Sequence, residues 1–135
     1  MSLPACVPRD HGAYQPPEVV LLRAAVVDDR NRFVRWADRT EIHAGRLPHR
    51  SVQVLLFDGA GRLVLQRRAL AKATNPGCWD VSASGHVEES DYPDPSRPDD
   101  DLDAIYDAVA IRELEEELGV RTPLERLGTF APLEG

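Results

Sequence analysis

Apolar residues fall mostly in short runs separated by turn-forming residues, which is the pattern of strands rather than of long amphipathic helices. Val19–Val27 is apolar apart from Arg23, and Arg32–Trp36 follows it after Asp28-Asp29-Arg30-Asn31. These read as two strands joined by a turn. Glu41 to His49 contains Gly45 and Pro48 and reads as a loop. Ser51–Phe57 is the clearest strand; Asp58-Gly59-Ala60-Gly61 turns the chain and Arg62–Gln66 returns it, forming a hairpin. Ala69–Cys78 reads as a loop around Asn75-Pro76-Gly77, and Trp79–Ser84 as a short strand. Glu88–Asp103 is polar, Asp-rich and carries three prolines. A loop of that length in a compact domain is usually functional or mobile.

One stretch has a helical period. Ala104–Leu118 has acids at its start, Asp101 or Asp103 to cap it, and Gly119 to stop it. Ile111, Leu114 and Leu118 are its expected apolar stripe. Leu124–Phe130 reads as a last strand. Residues 1–17, with Pro4, Pro8, Pro16 and Pro17, read as an extended arm, and 18–135 as one domain.

Composition changes this picture little. With 42% hydrophobic and 29% charged residues, the chain is globular rather than disordered. No apolar run is long enough to span a bilayer, and the first ten residues lack the apolar segment of a secretory leader. Two cysteines are too few for a disulfide framework. The expected compartment is therefore the cytoplasm. Residues 1–72 hold 12 basic and 7 acidic side chains, whereas residues 73–135 hold 4 and 16, within a net charge of -7. A basic half beside an acidic one is poorly suited to wrapping a nucleic acid polymer. It would suit a cleft that takes an anion on one side and divalent cations on the other, but charge falls unevenly along many soluble chains, and on charge alone that simpler reading is preferred.

The chemistry concentrates in Arg112-Glu113-Leu114-Glu115-Glu116-Glu117-Leu118-Gly119-Val120. Glu113, Glu116 and Glu117 stand at i, i+3 and i+4 and share one helical face. Like charges so placed repel by roughly 0.2–0.5 kcal/mol per pair unless something neutralises them. A hard divalent cation would do so; a solvated face with Arg112 paired to Glu116 is the simpler alternative.

This run resembles the second half of the Nudix box, G-x5-E-x7-R-E-U-x-E-E-x-G-U with U aliphatic. Gly85-His86-Val87-Glu88 resembles the box's opening, and Asn75-Pro76-Gly77-Cys78-Trp79-Asp80 the strand that approaches it. Counting back from Arg112 puts the first box acid at Ala104. That is 19 positions after Gly85 instead of six, so 13 residues are inserted and the slot holds alanine. Asp101 and Asp103 are candidates to stand in. Ser84 occupies a position where many members carry a second glycine.

The resemblance implies an α+β domain, an α/β/α sandwich with a mixed sheet, truncated at its C-terminus. It implies hydrolysis of a diphosphate linked to another group, with Mg²⁺ or Mn²⁺ as cofactor. Glu116, Glu117 and the Gly85 carbonyl would be metal ligands. Glu113 would be a further ligand or the base that orients water, and Arg112 would hold the glutamates. The implied partner is a small-molecule diphosphate, with neither nucleic acid nor membrane, and a homodimer is compatible with the sequence.

Upstream, the chain is similar to the isopentenyl-diphosphate isomerase-like branch of this family. Its pieces are Glu41-Ile42-His43…His49-Arg50, Leu65 to Lys72, and Trp79 through His86. That similarity makes Arg68 and Lys72 diphosphate contacts, makes His86 a substrate-side residue, and groups His43, His49 and His86 as candidate metal ligands. The isomerases use a cysteine where this chain has Ser84, and a hydroxyl is a far weaker acid than a thiol. Hydrolysis is therefore the expected reaction. Isomerisation and a non-catalytic ligand-binding module are the alternatives.

Overall fold

The computed structural model describes residues 22–131; the expected arm, residues 1–17, lies outside them. Strands β1 (Arg23–Val27) and β2 (Phe33–Asp38) form an antiparallel hairpin with Ala25 opposite Trp36. Successive strand residues point to opposite faces, and in β1 both faces are buried. Ala25 and Val27 pack with Val52, Val87, Ile105 and Val109. Ala24 and Val26 pack with Ala37 and Ile42. The helices supplying these partners are α1 (Arg39–Gly45) and α2 (Leu102–Leu118). β1 is therefore a middle layer between two helices, which explains its near-continuous apolar run. The α+β class and its α/β/α layering follow.

The remaining strands are short: β3 (Ser51–Val54), β4 (Leu56–Phe57), β5 (Leu63–Val64), β6 (Gln66–Arg67), β7 (Trp79–Asp80) and β8 (Ala83–His86). β3 pairs with β8, β4 with β5, and β6 with β7. Ser82 sits fully buried where these ladders meet. Its hydroxyl accepts from the Leu56 N–H at 2.7 Å and donates to the Val64 carbonyl at 2.5 Å. It thus serves backbone groups where the strands break at Leu55 and Leu65. Isolated bridges from Ala24 to Glu88 and from Val26 to His49 tie the first hairpin to this group. Every pairing among the described residues is antiparallel, so the parallel component of the expected mixed sheet is not seen in them. The short returns between β1 and β2 and between β4 and β5 allow only antiparallel partners.

Several expectations are corrected. Part of the loop expected over Glu41 to His49 is helix α1. Asp38 caps it by accepting from the Glu41 N–H at 2.8 Å, Arg46 closes it in the left-handed conformation, and Ile42 anchors it in the core. Leu124–Phe130 is not a strand; Arg126 instead ties this segment to Asp103 and Asp107 of α2. The buried stripe of α2 is Ile105, Val109 and Leu114, whereas Ile111 is exposed. The helix begins before the expected Ala104, so its core face is set by earlier turns. Asp101 stands at its N-cap in the left-handed conformation without a capping side-chain bond.

The long polar stretch is tied down rather than free. A 3-10 turn covers Glu89–Asp91, and Tyr92 is buried. Arg50, 2% exposed, donates to Asn31 Oδ1 and O, Tyr92 Oη, Pro98 O and Asp99 Oδ1. Burial opposes its charge, but Tyr92 and Asp99 outweigh that and raise its pKa. No helix among the described residues is long and apolar enough to cross a membrane.

Candidate active site

Helix α2 lies against β3 and β8 because Val109 packs with Val52, and Leu114 packs with Val54 and Ala83. This docking brings the carboxylate face of its last turns to the backbone of β8. The Glu113 side chain is 15% exposed and lies directly over Gly85, where a Cβ would come within 2.6 Å of Oε1. Glu117 Oε2 accepts from the Ser84 N–H at 3.3 Å and contacts Gln66 Nε2. Glu116 stays at the open edge, 63% exposed and 4.0 Å from Arg112 Nε.

Burial pushes the Glu113 pKa up, Arg112 pulls it back, and Glu116 and Glu117 add to the rise. Arg112 donates to Glu113 Oε1 at 3.3 Å, but its main partner is Asp91, which meets both of its terminal nitrogens. Hydrogen bonding to Asp91 drives the Arg112 pKa upward. Glu113, Glu117, Arg112 and Gly85 are therefore brought together, with Glu116 beside them. Sequence reading missed Asp91 and Gln66. Asp91 lies six positions after Gly85, so a forward count from the glycine would have found it; the backward count from Arg112 passed over it. Gln66 carried no signal.

The donor set is chemically suited to a hard divalent cation: three carboxylates and a backbone carbonyl, with like charges only partly offset by one arginine. Among the described residues, no three His, Cys, Asp or Glu side chains form a ready-made metal cage. Mg²⁺ seldom needs one, since it keeps several waters and shares ligands with substrate phosphates. The residues fit on chemistry, with part of the coordination left to water and substrate.

The three histidines also meet. His43 lies on α1, His49 precedes β3 and His86 ends β8. The rings of His49 and His86 stack with centroids 4.8 Å apart, and His43 stands 5.5 Å from His86 and 6.1 Å from His49. The Arg39 guanidinium is 3.1 Å from His86 Nδ1. Burial, then Arg39 and the two neighbouring rings, bring the His86 pKa down to about 4. Burial and Arg39 lower His43 as well.

Arg68 and Lys72 both lie in the loop between β6 and β7. Arg68 donates to the Thr74 carbonyl and to Asp80 Oδ2, both at 3.0 Å, and so closes the loop between β6 and β7. Lys72 is exposed in that loop.

Comparison with known proteins matches residues 47–134 to the NUDIX domain family model. The chain is 39% identical over 102 residues to an uncharacterized Nudix hydrolase of Pseudomonas aeruginosa, covering 76% of this chain and 53% of that protein. It is 32% identical over 117 residues to an uncharacterized Nudix hydrolase of Yersinia pestis, covering 86% and 57%. It is 30% identical over 105 residues to an isopentenyl-diphosphate Delta-isomerase of Photorhabdus laumondii, covering 78% and 52%. The chain spans about half the length of the curated relatives it matches.

Proposed function

From the premise that this chain belongs to the Nudix family, we propose that it catalyses divalent-metal-dependent hydrolysis of a small-molecule diphosphate linked to another group. The observation that carries the reading is the docking of the α2 carboxylates on β8, with Glu113 over Gly85 and Glu117 on the Ser84 amide. Glu116, Glu117 and the Gly85 carbonyl are the oxygens that would hold Mg²⁺ or Mn²⁺. When bound, the ion supplies charge neutralisation for the phosphate oxygens and a lowered pKa for the attacking water. Glu113 acts as the base that orients that water and takes its proton, a role its partly buried carboxylate at the edge of the Gly85 backbone is placed for. Arg112 holds Glu113 in place and stays charged through Asp91. Arg68, Lys72 and His86 are assigned to the substrate side; for Arg68 this requires exchanging its bond to Asp80 for one to phosphate.

A screen of diphosphate compounds with Mg²⁺ and Mn²⁺, reading released phosphate, tests this. Metal-dependent release that is lost in Glu113→Gln is the expected result. Tight binding without release would favour the non-catalytic module.

The isomerase reading is favoured by one observation, the meeting of His43, His49 and His86. Against it stands Ser84, whose hydroxyl is a poor proton donor to carbon.

A further inference from the structure

We propose that Asp91, on a turn flanked by Arg50 contacts, is the acid that positions Arg112 and through it Glu113, and that the 13-residue insertion follows this acid rather than displacing it. The kinetic consequence rests on the hydrolase reading; the structural one does not. Ala104 is the slot found by counting back from Arg112. In this chain it lies on the same continuous helix as Arg112. Eight residues of helix separate the two by about 12 Å, well beyond the i+3 and i+4 neighbours that meet on a helix surface. A glutamate at Ala104 would therefore be out of place.

Asp91 arrives from the other direction. It lies six residues after Gly85, on the 3-10 turn that leaves β8. Its side chain is only 8% exposed. One carboxylate oxygen meets Arg112 Nη1; the other is 3.4 Å from Nη2 and accepts from the Glu88 N–H at 2.8 Å. The carboxylate is thus oriented by its own turn before it grips the guanidinium.

The turn is in turn held from both sides by Arg50. The Arg50 carbonyl accepts from the Val87 N–H at 3.0 Å, just before the turn. Its guanidinium donates to Tyr92 Oη at 3.2 Å, the residue that follows the turn, and to Pro98 O at 2.7 Å, further along the insertion. The insertion is therefore gathered onto a buried cation, and Asp91 remains at the site despite the added length.

The test uses the full chain and two readouts. The first is NMR of the Arg112 guanidinium hydrogens, assigned by their loss in Arg112→Lys. The second is Mg²⁺-dependent turnover on the substrate found by the screen. Asp91→Asn should speed hydrogen exchange at Arg112 and lower kcat by about 10–100-fold, the usual effect of losing a residue that orients a ligand, with KM little changed. Asp91→Glu should restore part of both. Adding Ala104→Glu to Asp91→Asn should restore neither. Arg112 signals that do not respond to Asp91→Asn, or rescue by Ala104→Glu, would overturn the proposal. Arg112 signals that respond in a protein with no turnover on any diphosphate would leave the positioning intact and remove the hydrolase reading. If Asp91→Asn does not fold, Arg112→Lys replaces it, since lysine cannot grip both carboxylate oxygens; an unchanged kcat there would equally overturn the proposal.

Discussion

Replacing Gly85 with alanine should separate the site from the fold. Gly85 pairs opposite Val52 within β8, and its φ is not among the positive values, so the backbone accepts any residue there. The cost comes from the added carbon, which would lie 2.6 Å from Glu113 Oε1. Glu113 Cδ and Cγ lie similarly close, so the whole side chain must leave its present rotamer, while no backbone atom stands in the way and β8 should stay. Holding one side chain off its rotamer costs about 0.5–1.5 kcal/mol. Loosening the Arg112–Glu113 pair adds about 0–1 kcal/mol, because the arginine is 37% exposed and screened. The sum, about 0.5–2.5 kcal/mol, is small beside the stability of about 5–15 kcal/mol typical of a domain. Turnover should suffer far more, since displacing a general base typically costs about 10²–10⁴-fold. Urea titration and initial rates with Mg²⁺ measure the two effects, and the Glu113→Ala background supplies the control. With that side chain gone, Gly85→Ala should cost almost nothing. Full turnover in Gly85→Ala, or equal destabilisation in both backgrounds, would refute the reasoning.

Arg50→Ala should destabilise by about 1–3 kcal/mol in urea titrations, the usual cost of stranding buried acceptors, since Asp99 is half exposed and can hydrate, with Arg50→Lys intermediate. Ser82→Ala strands the Leu56 amide and the Val64 carbonyl and should cost about 1–3 kcal/mol by the same assay. Glu116→Gln and Glu117→Gln should weaken Mg²⁺ binding in calorimetry, and a chelator should abolish turnover of the native protein; unchanged affinity would remove these residues from the metal site. Ser84→Ala should reduce hydrolysis by well under the roughly hundredfold expected of a lost general acid or base. The native protein in heavy water should put no deuterium into isopentenyl diphosphate, whereas uptake that vanishes in Ser84→Ala would put the isomerase first.

What could be read from the sequence was what local geometry determines. The carboxylate run needs only helical spacing to place Glu113, Glu116 and Glu117 on one side, and Gly119 closes that helix with its φ of 65°. The hairpin around Asp58-Gly59-Ala60-Gly61 is equally local, with Asp58 accepting from the Ala60 and Arg62 amides. Helix α1 was not legible because seven residues carry little periodicity, and what stabilises it is the Asp38 cap and the burial of Ile42 against β1 and β2. The acidic stretch was misjudged for the same reason. Its composition is that of a solvated loop, and partners distant in sequence make it part of the packed structure: Arg50, 49 positions before Asp99, the Phe33 amide that Asp99 accepts from, and the core around Tyr92. Asp91 shows where the two kinds of information divide. A motif counted from its helix assumes that the residues between acid and arginine keep their number. The fold requires only that the two side chains meet, and here a turn anchored on β8 and a buried arginine bring them together across a longer path. In this chain the constant is therefore the contact with Arg112, and the spacing is free to vary wherever a buried partner such as Arg50 can gather the excess.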